Sequence, residues 1–142
     1  MKVRYKKLSE EAVTPRYSRE GDAGLDLVAI DQKIIIAKGK VQHMYSTGIA
    51  LEIPHGYVGL IFPRSSICNK GERLSNCVGV IDSNYRGEIT FVFDVIDPTS
   101  SYKIGDRIGQ IIIMPYPEIE LEESDVLSDS NRGEEGFGSS GA

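Results

Sequence analysis

Apolar residues in this chain recur in short runs, and turn formers separate the runs at close intervals. Six stretches rich in β-branched and aromatic side chains predict strands: Ile34–Ile36, Val41–Ser46, Ile49–Ile53, Tyr57–Phe62, Glu88–Ile96 and Ile108–Met114. Between them Pro54-His55-Gly56, Asp82-Ser83-Asn84 and Asp97-Pro98-Thr99 supply a fixed φ or side-chain-to-backbone hydrogen bonds at chain reversals. Many short strands with regular turns predict an all-β domain of the sandwich, jelly-roll or barrel kind. Only Ser65 to Lys70 leaves room for a short helix, which Ser65 or Ser66 would cap.

Length and charge narrow the picture. The 142 residues suffice for one core, and no apolar run approaches the ~20 residues of a membrane-spanning helix. The basic start MKVRYKKLSEEAV lacks the apolar region of a secretory signal, so the reading is a soluble, intracellular protein with no membrane partner. A net charge of −5 disfavours binding to polymeric nucleic acid, which needs a spread positive field. It does not exclude a small anion, because a few arginines converging on one pocket set the local potential. The two cysteines, Cys68 and Cys77, form no C-x-x-C pair or zinc spacing and are expected to be buried thiols. From Ser128 the chain turns glycine- and serine-rich, SDSNRGEEGFGSSGA, with too little apolar surface to pack. We therefore expect a β domain over residues 1–127 and a flexible tail over 128–142.

Polar constellations interrupt the strands. In Gly21-Asp22-Ala23-Gly24-Leu25-Asp26-Leu27 the glycines allow close backbone approach, and Asp26 alternates with apolar neighbours. Asp26 is either a solvated carboxylate or an oxygen ligand for Mg²⁺, directly or through water. Pro63-Arg64-Ser65-Ser66 follows an apolar strand and presents a guanidinium, two hydroxyls and free amides, a set suited to phosphate or simply to a helix cap. Asn76 to Glu88 reads as a strand, a turn and a returning strand. Asp82 sits at the bend, as a turn former or as a general base for water, and Tyr85 is expected to face the same cavity. Gln110 is a polar residue where the apolar Ile111-Ile112-Ile113 begins, and the glycine-rich tail offers amides and hydroxyls for phosphate without being a Walker A loop.

Taken in order, these five segments resemble the five motifs of the homotrimeric dUTPase family, over about Ala23 to Gly141. The resemblance implies a distorted jelly-roll fold, Mg²⁺ dependence and a homotrimer with shared sites. It also implies hydrolysis of dUTP to dUMP and pyrophosphate by water attack at the α-phosphorus, which limits uracil in DNA and supplies dUMP. In that scheme Asp82 is the base. Asn76, Gly79 and Val80 read the uracil, and Tyr85 lies against the deoxyribose. Arg64, Ser65, Ser66 and Gln110 hold phosphates, and Asp26 is the carboxylate associated with the metal. In the tail, Arg132 reaches the γ-phosphate, Phe137 stacks on the base, and Gly138, Ser139 and Ser140 close over the phosphates as a lid. Arg107 matches the fourth motif, in contact with substrate or with a subunit interface.

Three positions depart from the commonest family pattern. Glu135 stands where glycine is frequent and would weaken lid closure if it points inward, whereas Ser140 and Asn84 leave the assignments intact. A dCTP deaminase of the same fold and a non-catalytic nucleotide-binding jelly roll are the alternatives. The first lacks such a tail, and the second has no need for Asp82 and Arg132 together.

Overall fold

The computed structural model describes residues 1–37 and 39–136. Nine strands are present among them: β1 (Arg4–Lys7), β2 (Leu25–Val28), β3 (Asp31–Ala37), β4 (Lys40–Glu52), β5 (Tyr57–Phe62), β6 (Glu72–Leu74), β7 (Gly79–Ile81), β8 (Glu88–Val95) and β9 (Arg107–Pro115). They form two antiparallel sheets, one ordered β1-β4-β8-β6 with β3 also on β4, the other ordered β2-β9-β5-β7. This is the all-β class that the apolar runs predict and the jelly roll that the family resemblance implies. No helix among the described residues is long and apolar enough to cross a membrane. Two single-turn 3-10 segments, Ser65–Asn69 and Pro98–Ser100, are the only helical pieces described.

The core follows from two-residue alternation. On β8 the side chains of Ile89, Phe91 and Phe93 all turn inward, and the Phe91 and Phe93 rings stack with centroids 6.1 Å apart. Leu27, Tyr45, Ile49, Ile108 and Ile111 are the other large apolar side chains that are fully buried. Gly109 lies under Phe91, where a Cβ would collide with the ring.

Two of the expected strands are one. β4 runs through Thr47-Gly48, with an irregularity between Ser46 and Ala50 in its pairing to β8. Gly48 permits this with φ at 65°, its N–H donating to Glu88 Oε1 at 2.7 Å. After Pro115 no further strand occurs among the described residues. The last backbone tie of this region to the body is Tyr116 N–H to the Gly56 carbonyl, 3.0 Å, so the paired body ends before the compositional change at Ser128.

Both cysteines are exposed and free, against the expectation of buried thiols. They fall in connecting turns instead of strand interiors: Cys68 in the first 3-10 segment and Cys77 in a tight turn with φ at 60°, closed by Val78 N–H to Asn76 O at 2.6 Å.

Candidate active site

The second sheet brings the first, second and fourth polar segments together at one end. Asp26 on β2 pairs with Gln110 on β9, and Gln110 pairs with Phe62 at the end of β5, two residues before Arg64. Asp26 is 7% exposed, which removes the solvated-carboxylate reading. Arg64 Nε donates to its Oδ1 at 2.8 Å, and Arg107 Nη1 donates to its Oδ2 at 3.0 Å and to Ser18 Oγ at 2.7 Å. Two guanidinium groups on one carboxylate leave a local charge of +1. Because Arg64 engages through Nε, both its Nη groups carry no protein hydrogen bond among the described residues, a fork suited to phosphate oxygens.

That arrangement does not fit Asp26 as a direct magnesium ligand. Both its oxygens are committed to guanidinium groups, and a further cation would face two positive neighbours. No group of three or more His, Cys, Asp or Glu able to hold a metal occurs among the described residues.

Gln110 is half-buried on an inner strand, not at an edge, and its Nε2 donates to the Pro63 carbonyl at 3.2 Å. Gly24 makes room for it, since a Cβ there would strike the Gln110 side chain. The expected serine cap is absent. Arg64 takes the N-cap position of the 3-10 segment with no side-chain cap hydrogen bond, so both serine hydroxyls stay uncommitted to capping. Ser65 is exposed and Ser66 half-buried.

Asp82 lies elsewhere. β5 pairs with β7 through Gly59↔Ile81, Leu60↔Val80 and Ile61↔Gly79, which sets Asp82 level with Val58. Arg64 is six residues further along the chain, ~20 Å away at ~3.3 Å per residue. The Asp82 carboxylate is exposed, makes no hydrogen bond or ion pair among the described residues, and lines a groove with His55, Tyr57, Val58, Asn84 and Tyr116. Tyr85 does not line that groove. Its ring covers Gly87, and its hydroxyl donates to the Glu88 carbonyl at 3.0 Å. Gly79 packs against Ile61 and Asn76, with no space for a Cβ, while Asn76 and Val80 are exposed.

Arg132 is exposed, its Nε donating to the Glu135 carbonyl at 2.9 Å within a tail turn. Phe137, Gly138, Ser139 and Ser140 lie outside the described residues. Sequence reasoning missed Ser18, which steadies Arg107 from 89 residues away and carries no local signal.

A two-sheet antiparallel domain with an arginine pair anchored on a buried carboxylate at one end of a sheet and an exposed, unpaired carboxylate towards the other defines a jelly-roll protein. A dUTPase family profile matches residues 10–141. The deoxyuridine 5'-triphosphate nucleotidohydrolase of Hydrogenobaculum sp. (strain Y04AAS1) is 40% identical over 143 aligned positions, 99% of either chain. Among solved structures, the dUTPase of Staphylococcus bacteriophage 80alpha with dUPNHPP superimposes with a TM-score of 0.83 at 27% identity, covering 99% of both chains. A mutant of the dUTPase from phage phi11 of S. aureus, described with the coordination of a structural Mg(II) ion, shares the fold at 21% identity and TM-score 0.73, over 89% of this chain and 98% of its own. The chain belongs to the dUTPase family.

Proposed function

We infer that this chain is a hydrolase that converts dUTP to dUMP and pyrophosphate. The observation that carries the reading is the pairing of an Asp26-anchored arginine fork, Arg64 and Arg107, with the unencumbered Asp82 carboxylate on a chain of the dUTPase family. Asp82 is the base that aligns and deprotonates water for in-line attack at the α-phosphorus. Arg64, Ser65, Ser66 and Gln110 hold the phosphates, and positive charge on the departing pyrophosphate side stabilises the developing charge. Asn76 with the Gly79–Val80 backbone reads the uracil edge, where a cytosine would leave buried groups unpaired, and Tyr85 excludes a 2′-hydroxyl.

Sharing of sites between the chains of a homotrimer is supported by the separation of the half-sites. Asp82 and Arg64 lie towards opposite ends of β5, ~20 Å apart, which favours a site that draws the two from different chains. Residues 128–142 form the lid, with Arg132 at the γ-phosphate, Phe137 on the base and Gly138, Ser139 and Ser140 over the phosphates. Mg²⁺ dependence is supported by the family and by the metal described for the phi11 enzyme. With Asp26 committed to arginines, the triphosphate oxygens themselves are the ligands that remain for the ion. Two exposed, unpaired thiols favour a reducing, intracellular compartment.

The test is pyrophosphate release from dUTP, dCTP, dTTP and UTP with Mg²⁺. Release from dUTP alone is expected. Ammonia from dCTP would point to the deaminase, and no turnover at all to a binding module.

A further inference from the structure

Behind the phosphate turn lies a buried polar group that none of the proposed steps uses. Glu72, 3% exposed at the start of β6, accepts from the Tyr102 backbone N–H through Oε2 at 2.8 Å. Its Oε1 is shared by His43 Nδ1 at 2.6 Å and the Tyr45 hydroxyl at 2.9 Å, and that hydroxyl also lies 3.1 Å from the Tyr102 carbonyl. Glu72 thus fixes the backbone of Tyr102 at its N–H. Gly71 reinforces the link, donating to the Ser100 carbonyl at 3.0 Å and accepting from Asp97 N–H at 2.9 Å. Lys70 adds its ammonium, 4.7 Å from the centroid of the Tyr102 ring.

The ring is therefore held firmly, yet its hydroxyl is orphaned. Tyr102 is 3% exposed, and its Oη has no hydrogen-bond partner among the described residues. The Ser66 hydroxyl and the Arg64 charge are near enough to act on the phenol, yet Ser66 makes no hydrogen bond to it. Burial pushes the phenol above its ordinary value, so it stays protonated and remains a donor. An unpaired buried hydroxyl is unfavourable, and one beside Ser66 gains a partner if that serine turns to bind phosphate.

We propose that Tyr102 is a positioning residue for phosphate binding: its hydroxyl donates to Ser66 Oγ when Ser66 donates its own proton to a phosphate oxygen of the nucleotide. The chain Tyr102 Oη–H to Ser66 Oγ–H to phosphate completes only with ligand in place, which orients the serine and satisfies the orphan in the same event. The proposal rests on the phosphate role given to Ser66 above.

The experiment compares wild type, Tyr102→Phe, Ser66→Ala and the double variant, measuring melting temperature, dUPNHPP binding by calorimetry and kcat/KM for dUTP. Tyr102→Phe keeps the ring and removes the orphan, so its melting temperature should equal or exceed wild type. Its dUPNHPP affinity should nevertheless fall about 5- to 10-fold. In the Ser66→Ala background the same substitution should change nothing further. Unchanged affinity in Tyr102→Phe, or an equal loss with and without Ser66, overturns the proposal. Wild type that neither binds dUPNHPP nor releases pyrophosphate from dUTP overturns the functional reading itself. Active wild type with an indifferent Tyr102→Phe overturns only the relay.

Discussion

Arg64 and Asp26, 38 residues apart in sequence, are joined by a 2.8 Å ion pair in which the carboxylate is buried and the guanidinium keeps its outer fork free. Asp26 thereby acts as the anchor of the arginine pair. Asp26→Ala leaves Arg64 and Arg107 facing each other without a counter-charge. We expect a loss of about 2–3 kcal/mol, below that of a fully buried pair because Arg107 is half exposed, measured by urea unfolding. Affinity for dUPNHPP should fall as well, since the fork loses its orientation.

Asp82 carries no such structural duty. Asp82→Asn should leave the melting temperature unchanged and lower kcat by ~10²–10⁴, the usual span for removing a general base. Mixing this variant with Arg64→Ala after co-refolding tests the sharing of sites. A site that draws the two residues from different chains is restored in about one quarter of cases in an equal mixture. A mixture as inactive as its components would mean that each chain builds its own site.

Gly24→Ala tests the room made for Gln110. The added methyl meets a flexible side chain more than backbone, so stability should change by less than the ~1–3 kcal/mol of core overpacking, while the Gln110 carboxamide is pushed off the Pro63 carbonyl. A several-fold rise in KM for dUTP with little change in melting temperature is expected.

A pH effect arises far from the site. Hydrogen bonds from Gln42 and Ser75 hold the Asp94 carboxyl below its ordinary value of 3.8. A depressed carboxyl stabilises the fold above the unfolded-state value, and that contribution disappears as pH falls through the lower folded-state value. Asp94→Asn should therefore melt below wild type at pH 7, and the gap should close below about pH 4. A gap independent of pH would show that the charge is irrelevant.

Removal of residues 129–142 should preserve the melting temperature, because Ser128 and its neighbours are exposed and add no strand to either sheet. Most dUTP turnover should be lost if the segment is the lid. Undiminished turnover would remove that role from Arg132 and Phe137.

Much of the fold was legible because apolar runs with clear punctuation need no distant information. Tyr57–Phe62, between Gly56 and Pro63, is a strand with the bounds its pattern predicts. β1 was invisible, for Arg4–Lys7 is exposed throughout and becomes a strand only by pairing with β4. β6 was hidden by Glu72, a charged residue whose burial depends on His43, Tyr45 and Tyr102. The polar segments of the site stood out for the same reason β5 did, as local breaks in apolar pattern. Their geometry did not: the contacts of Asp26 span 38 and 81 residues, and no local spacing announces that its oxygens go to arginines.

Strand β5 has one more consequence. In the proposed trimer it is the gauge that separates what a chain lends to one neighbour from what it lends to another. Because side chains change face with each residue, a single inserted residue within it would reverse the direction of Arg64 while Asp82 stayed in place. In a ring with shared sites, the damage would appear in pockets completed by intact partners, so one faulty copy would impair sound ones and the lesion would behave as dominant.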